Sequence, residues 1–107
     1  MQFEWDERKN RLNIEKHGIA RSESWRVFER PLLIRMDDRK DYGEPRWIAL
    51  GNLDGTVVVL VFTKRGETIR AISIRKGNKH ERQIYQDRVK TASRGLGEAA
   101  DDDRPGY

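Results

Sequence analysis

Two histidines, His17 and His80, and no cysteine bound the chemistry open to this 107-residue chain. Thiolate nucleophiles, thiolate metal ligands and disulfides are excluded. His80 has Glu81 beside it, but neither histidine has a second partner at a metal-ligand spacing, so no metal is expected. No phosphate-cradling glycine loop and no GxSxG elbow is present, and no cofactor is expected.

What remains is a set of cations and proton carriers. Arg75 lies in TIRAISIRK (68–76), beside the small Ala71 and Ser73 on one face of a two-residue alternation. Open space around a guanidinium on a rigid element is what an oxyanion or phosphate pocket needs. Arg65 sits in the turn KRGE, and a hairpin would bring it toward the same phosphate. Both arginines have a plain alternative, pairing with Glu44, Glu67 or Asp87. Lys16, His17 and Gly18 close a helical segment, where the helix dipole favours positive charge. His17 can shuttle a proton and Lys16 can hold a phosphate; His17 can equally pack and donate to a helix carbonyl. Lys9 precedes Lys16 by two turns on nearly the same face, and Lys76 ends the strand of Arg75. Glu44 and Arg46 flank a strand edge, suited to substrate contact or to an ion pair. Tyr85, one turn after Glu81, is a proton-transfer candidate or a packing residue with a wet hydroxyl. Trp5, Trp25 and Trp47 can stack on bases or build the core.

The elements that must position these groups follow from pattern and punctuation. Asp6 caps a helix over 7–17, and Gly18 ends it. A second helix spans 21–28 with Trp25 and Phe28 on one face, and Pro31 stops it. Strands are expected at 32–36, 46–51, 56–63 and 68–76, with LDG and KRGE as tight turns. TVVVLVFT is apolar on both alternating faces, as a central strand covered on both sides would be. Asn78 and Glu81 are spaced as a helix cap and its N3 partner, so a last helix should run over 79–90. The short turns favour antiparallel pairing, since parallel strands need long crossovers. The fold class is α+β: an antiparallel sheet of three to four strands, two N-terminal helices and one C-terminal helix. Residues 1–90 form one domain, and the acidic, glycine-rich 91–107 is a flexible tail.

Length allows a single domain with a small core. Charged residues (37%) slightly outnumber hydrophobic ones (36%), and the net charge is +4. The charge is uneven: 64–90 carries nine Lys/Arg against three Asp/Glu, a surface suited to an anionic partner. VVVLVF is too short to cross a membrane. The amphipathic start MQFEWDERKNR has no apolar signal core, so the expected location is cytoplasmic.

Trp5-Asp6, Lys9, Asn13, Lys16-His17-Gly18, Glu23, Val27-Phe28 and Pro31 form one ordered set, followed by Glu44, Arg46, Gly51 and Thr63-Lys64-Arg65, then Ile72-Ser73, Arg75-Lys76, Glu81 and Tyr85. In order and spacing these closely resemble the BrnT family of toxins, over about residues 2–88. The resemblance implies a RelE-like fold and metal-independent endoribonuclease activity that arrests translation. The partner it implies is a ribbon-helix-helix (BrnA-like) antitoxin, in a two-plus-two complex that binds operator DNA. Carried onto this chain, Arg65 and Arg75, helped by Lys16 and Lys9, would bind phosphate and stabilise transition-state charge. His17 and Tyr85 would transfer protons or position substrate. Ala20 and Arg21 replace the family's hydroxyl cap and aromatic, so the second helix is expected to start frayed or capped by Ser22. Two other readings stay open: a non-catalytic nucleic-acid binder acting as corepressor, and a protein-interaction module whose basic face docks an acidic partner.

Overall fold

The computed structural model of the chain describes residues 2–95. Its elements in chain order are β1 (Gln2–Trp5), α1 (Glu7–His17), a 3-10 turn (Arg21–Glu23) leading into α2 (Ser24–Val27), β2 (Leu33–Met36), β3 (Trp47–Leu53), β4 (Thr56–Arg65), β5 (Thr68–Lys76) and α3 (Lys79–Gly95). All five strands join one sheet in the order β1-β5-β4-β3-β2.

The class is α+β, as the pattern predicts, but the sheet is larger and mixed. β2 to β5 pair antiparallel, whereas β1 pairs parallel with β5, Phe3 opposite Ile69 and Trp5 opposite Ala71. The crossover rule is not violated, because almost the whole chain lies between these two strands. The expected sheet of three to four strands therefore becomes five. The expected second helix over 21–28 is a 3-10 turn followed by one α-turn, because no side chain at Ala20 caps it. Asn10 supplies the missing acceptor: its Oδ1 takes the Arg21 N–H at 2.6 Å.

Each end of α1 is fixed as its residues dictate. Asp6 accepts from the Lys9 N–H at 3.1 Å, and Gly18 adopts φ 72°, a left-handed stop. The β3–β4 turn uses Asp54 and Gly55, both at positive φ, the signature of a two-residue turn matched to strand twist. At the start of α3, Asn78 and Glu81 exchange side-chain and backbone contacts at 2.8 Å, the reciprocal cap expected. That helix runs to Gly95, past the expected end at 90; the remainder of the expected tail lies outside the described residues.

The sheet is covered on both faces, which is why β4 is apolar throughout. One face packs Ala49, Val58, Leu60, Phe62, Ala71 and Ile74 against Ile19 and Val27. The other packs Leu50, Val57 and Val59 against Tyr85 of α3. Gly51 lets the α2 segment lie flat on the sheet: a methyl group there would overlap Val27 and stand 2.9 Å from Leu32 Cδ2.

β5 departs from simple alternation. Val61 is opposite Ser73 and Phe62 opposite Ala71, so Ile72 is an extra residue, a β-bulge. Ala71 and Ile74 thereby point to the same core, and Arg70 shares a face with Arg75. A strict two-residue period would have separated them.

Candidate active site

α3 covers only one half of its face of the sheet. On the other half the register aligns Thr63 with Arg70, and Arg70 with Glu4. A cleft of about 350 Å³ opens there, lined by Asp6, Lys9, Arg21, Glu44, Arg46, Thr63, Arg65, Arg70, Ala71 and Ile72. Five cations face two carboxylates, so the hollow is electropositive.

Each wall is locally determined. Thr63 is buried and its hydroxyl donates to the Pro45 carbonyl at 2.6 Å, which anchors the strand entrance carrying Glu44 and Arg46. Asn10, also buried, holds the Arg21 backbone at the end of α1 where Asp6 and Lys9 stand. Burial pushes the Arg21 guanidinium below its ordinary value; Asp6 offsets this in part and Arg70 adds to it. The Lys9 N–H bond holds the Asp6 carboxyl below the usual range.

Arg65 reaches Glu44 at 3.2 to 3.4 Å and Glu4 at 3.9 Å, and Arg70 reaches Glu4 at 3.3 Å. These exceed the about 2.7–2.9 Å of tight charge-assisted bonds, so these pairs are looser than the ideal. The Arg65 guanidinium keeps the Glu44 carboxyl below its usual range, ionised at neutral pH. The Nε–H groups of Arg21 and Arg46 are buried without an acceptor among the described residues. Desolvated donors of this kind are costly to leave unmet.

Of the residues singled out in the sequence, Arg65, Glu44, Arg46 and Lys9 come together here. Arg75 does not. It lies opposite Val59, six residues along β4 from Arg65, about 20 Å at strand rise. There it grips Glu81 through two parallel contacts, 2.8 and 2.9 Å. The expected convergence of Arg65 and Arg75 on one phosphate is thus absent. The bulge keeps both on one face, but the hairpin register sets them at opposite ends. Lys76 ends the same strand, exposed and away from the cleft. Lys16 and His17 close the far end of α1, about 10–12 Å of helix rise beyond Lys9. Tyr85 is buried among Leu50, Val57 and Val59, and its hydroxyl donates to the Pro31 carbonyl at 2.7 Å. Burial raises its pKa.

The cleft residues missed in the sequence are Arg21, Arg70, Asp6 and Thr63. Asp6 had a legible role as a helix cap. Arg70 could have been found only by placing the bulge, and Arg21 only by seeing that Asn10 reaches across to it. Among the described residues, no three His, Asp or Glu side chains gather as a metal site, and no helix is long and apolar enough to cross a membrane.

A family model described as the ribonuclease toxin BrnT of type II toxin–antitoxin systems matches residues 5–81. That span covers Asp6 through Arg75 and reaches Glu81. No curated protein matches the chain. The chain belongs to the BrnT family of ribonuclease toxins.

Proposed function

With BrnT membership as the premise, we propose that this toxin cuts RNA, without a metal ion, in the cationic cleft formed by the loop before β3, by β4 and β5, and by the start of α1 with the 3-10 turn after it. The observation that carries the proposal is the cleft itself: Lys9, Arg21, Arg46, Arg65 and Arg70 converge on one hollow beside the ionised Glu44.

The nucleophile comes with the substrate. The ribose 2′-oxygen bonds to the adjacent 3′-phosphorus, the bond from phosphorus to the 5′-oxygen breaks, and a 2′,3′-cyclic phosphate and a 5′-hydroxyl result. Glu44 takes the 2′-hydroxyl proton, and solvent in the open cleft returns a proton to the leaving oxygen. Arg65 and Arg70 donate to the phosphoryl oxygens as they gain charge, and Lys9, Arg21 and Arg46 hold the flanking chain. DNA, lacking the 2′-hydroxyl, is bound but not cut. This toxin's partner is a ribbon-helix-helix antitoxin, joined in a two-plus-two complex that binds operator DNA. Both act in the cytoplasm, where the toxin arrests translation.

Brief induction of the wild-type, Arg70→Ala and Glu44→Gln proteins, followed by mapping of RNA ends, tests this. New 5′-hydroxyl ends with the wild type, at least about 100-fold fewer with either variant, and undiminished cleavage in vitro under a chelator are expected. Intact RNA alongside soluble, folded wild-type protein would remove the assignment.

A further inference from the structure

A second hollow of about 560 Å³ adjoins the cleft, formed by the loop 36–46. Glu44 and Arg46 line both, so the two hollows are neighbours that share these side chains. The Arg46 guanidinium lies 4.0 Å from the ring centre of the half-buried Tyr42, and the Lys40 ammonium lies 5.1 Å from the same ring. The rest of the hollow differs from the cleft: Asp38 and Asp41 line it beside Lys40, while Asp37 lies buried in its wall with both oxygens held by Arg39. Carboxylates repel a phosphate but accept from the amino groups of nucleobases.

We propose that Tyr42 and Arg46 form a stacking platform that seats the base of a nucleotide next to the cleaved phosphate, making Tyr42 a substrate-positioning residue. This rests on the RNA-cutting role of the cleft and adds to it the requirement for an unpaired base. Single-stranded RNA is recognised by laying splayed bases on aromatic rings and guanidinium planes. The Tyr42–Arg46 stack brings a ring and a guanidinium plane together in a hollow that both residues line. The loop that carries the platform is held from within. Arg39 clamps Asp37 through two contacts at 2.7 and 2.8 Å, and Asp41 accepts from the Gly43 N–H at 2.8 Å.

The test uses a 2′-O-methyl oligoribonucleotide, which presents bases and phosphates but lacks the nucleophile, so binding is read apart from cleavage. Tyr42→Ala is expected to weaken binding by about 5- to 150-fold, the range for loss of one base–aromatic stack. Tyr42→Phe should bind within about twofold of wild type, and the salt dependence should not change, since no phosphate contact is lost. Tyr42→Leu, which keeps apolar bulk without a flat ring, should behave like Tyr42→Ala and guards against a collapsed loop. One abasic substitution should erase the difference between wild type and variant. Equal binding by wild type, Tyr42→Ala and Tyr42→Leu would overturn the platform. So would a difference that no abasic position removes. A wild type that shows the full binding pattern yet never yields 5′-hydroxyl ends would sink the cleavage reading and leave the platform standing.

Discussion

Arg75 and Glu81 clasp each other across the joint between β5 and α3, with both guanidinium NH groups on both carboxylate oxygens. Glu81 also caps its own helix by accepting from the Asn78 N–H. One carboxylate therefore ties the strand end, the connecting turn and the helix together, and Arg75 holds its pKa below the usual range.

From that clasp follows a separation of stability from activity. Arg75→Ala should lower unfolding free energy by about 1 kcal/mol, at the modest end because the arginine is 41% exposed. RNA cleavage, measured below the new melting temperature, should stay within about threefold of wild type. A loss comparable to that of Arg70→Ala would return Arg75 to the chemistry.

Acid should weaken the fold through Asp37. Its carboxyl is fully buried, and the Arg39 guanidinium lowers its pKa to about 2. A depressed carboxylate contributes stability above its ordinary pKa and loses that contribution as pH falls through the folded value. Denaturation midpoints should therefore drop between about pH 4 and pH 2, and Asp37→Asn should flatten that drop while costing about 1–2 kcal/mol at pH 7. An unchanged acid limb in Asp37→Asn would assign the effect to other groups.

Asn13 belongs to the sequence motif but lies in the fold's interior, where its amide donates to the Ile19 carbonyl at 2.7 Å and the Ile74 carbonyl at 2.9 Å. It ties α1 to β5 beyond the point where β1 stops pairing. Asn13→Ala leaves two carbonyls unmet and should cost about 2–3 kcal/mol in urea unfolding. Its effect on cleavage should appear only as lost folded protein.

Much of the fold could be read from residue order because its causes are local. Asp6, Gly18, Asn78 and Glu81 act within a few residues of themselves, and β3, β4 and β5 are joined by turns too short for any other pairing. The parallel pairing of β1 with β5 was not legible, since its partners stand more than sixty residues apart in the chain. In the site, Glu44, Arg46, Arg65 and Lys9 could be picked out by type and flanking pattern. Arg75 was misplaced because distance along a strand does not show in a list of charged residues: six positions of β4 separate its partner Val59 from Arg65. Arg21 and Arg70 owe their place to contacts with Asn10 and Thr63 that no spacing rule encodes.

The extra residue at Ile72 also guards the assembly of the hairpin. Were β5 to zip onto β4 one position out of step, the guanidinium of Arg70 would turn toward the rings of Phe62 and Trp47, and Ile69 would be thrust into water. So costly an error is self-correcting. One unpaired position thus lets Ile69 and Ala71 share a core with Ile74 while Arg70 keeps to the face of Arg75.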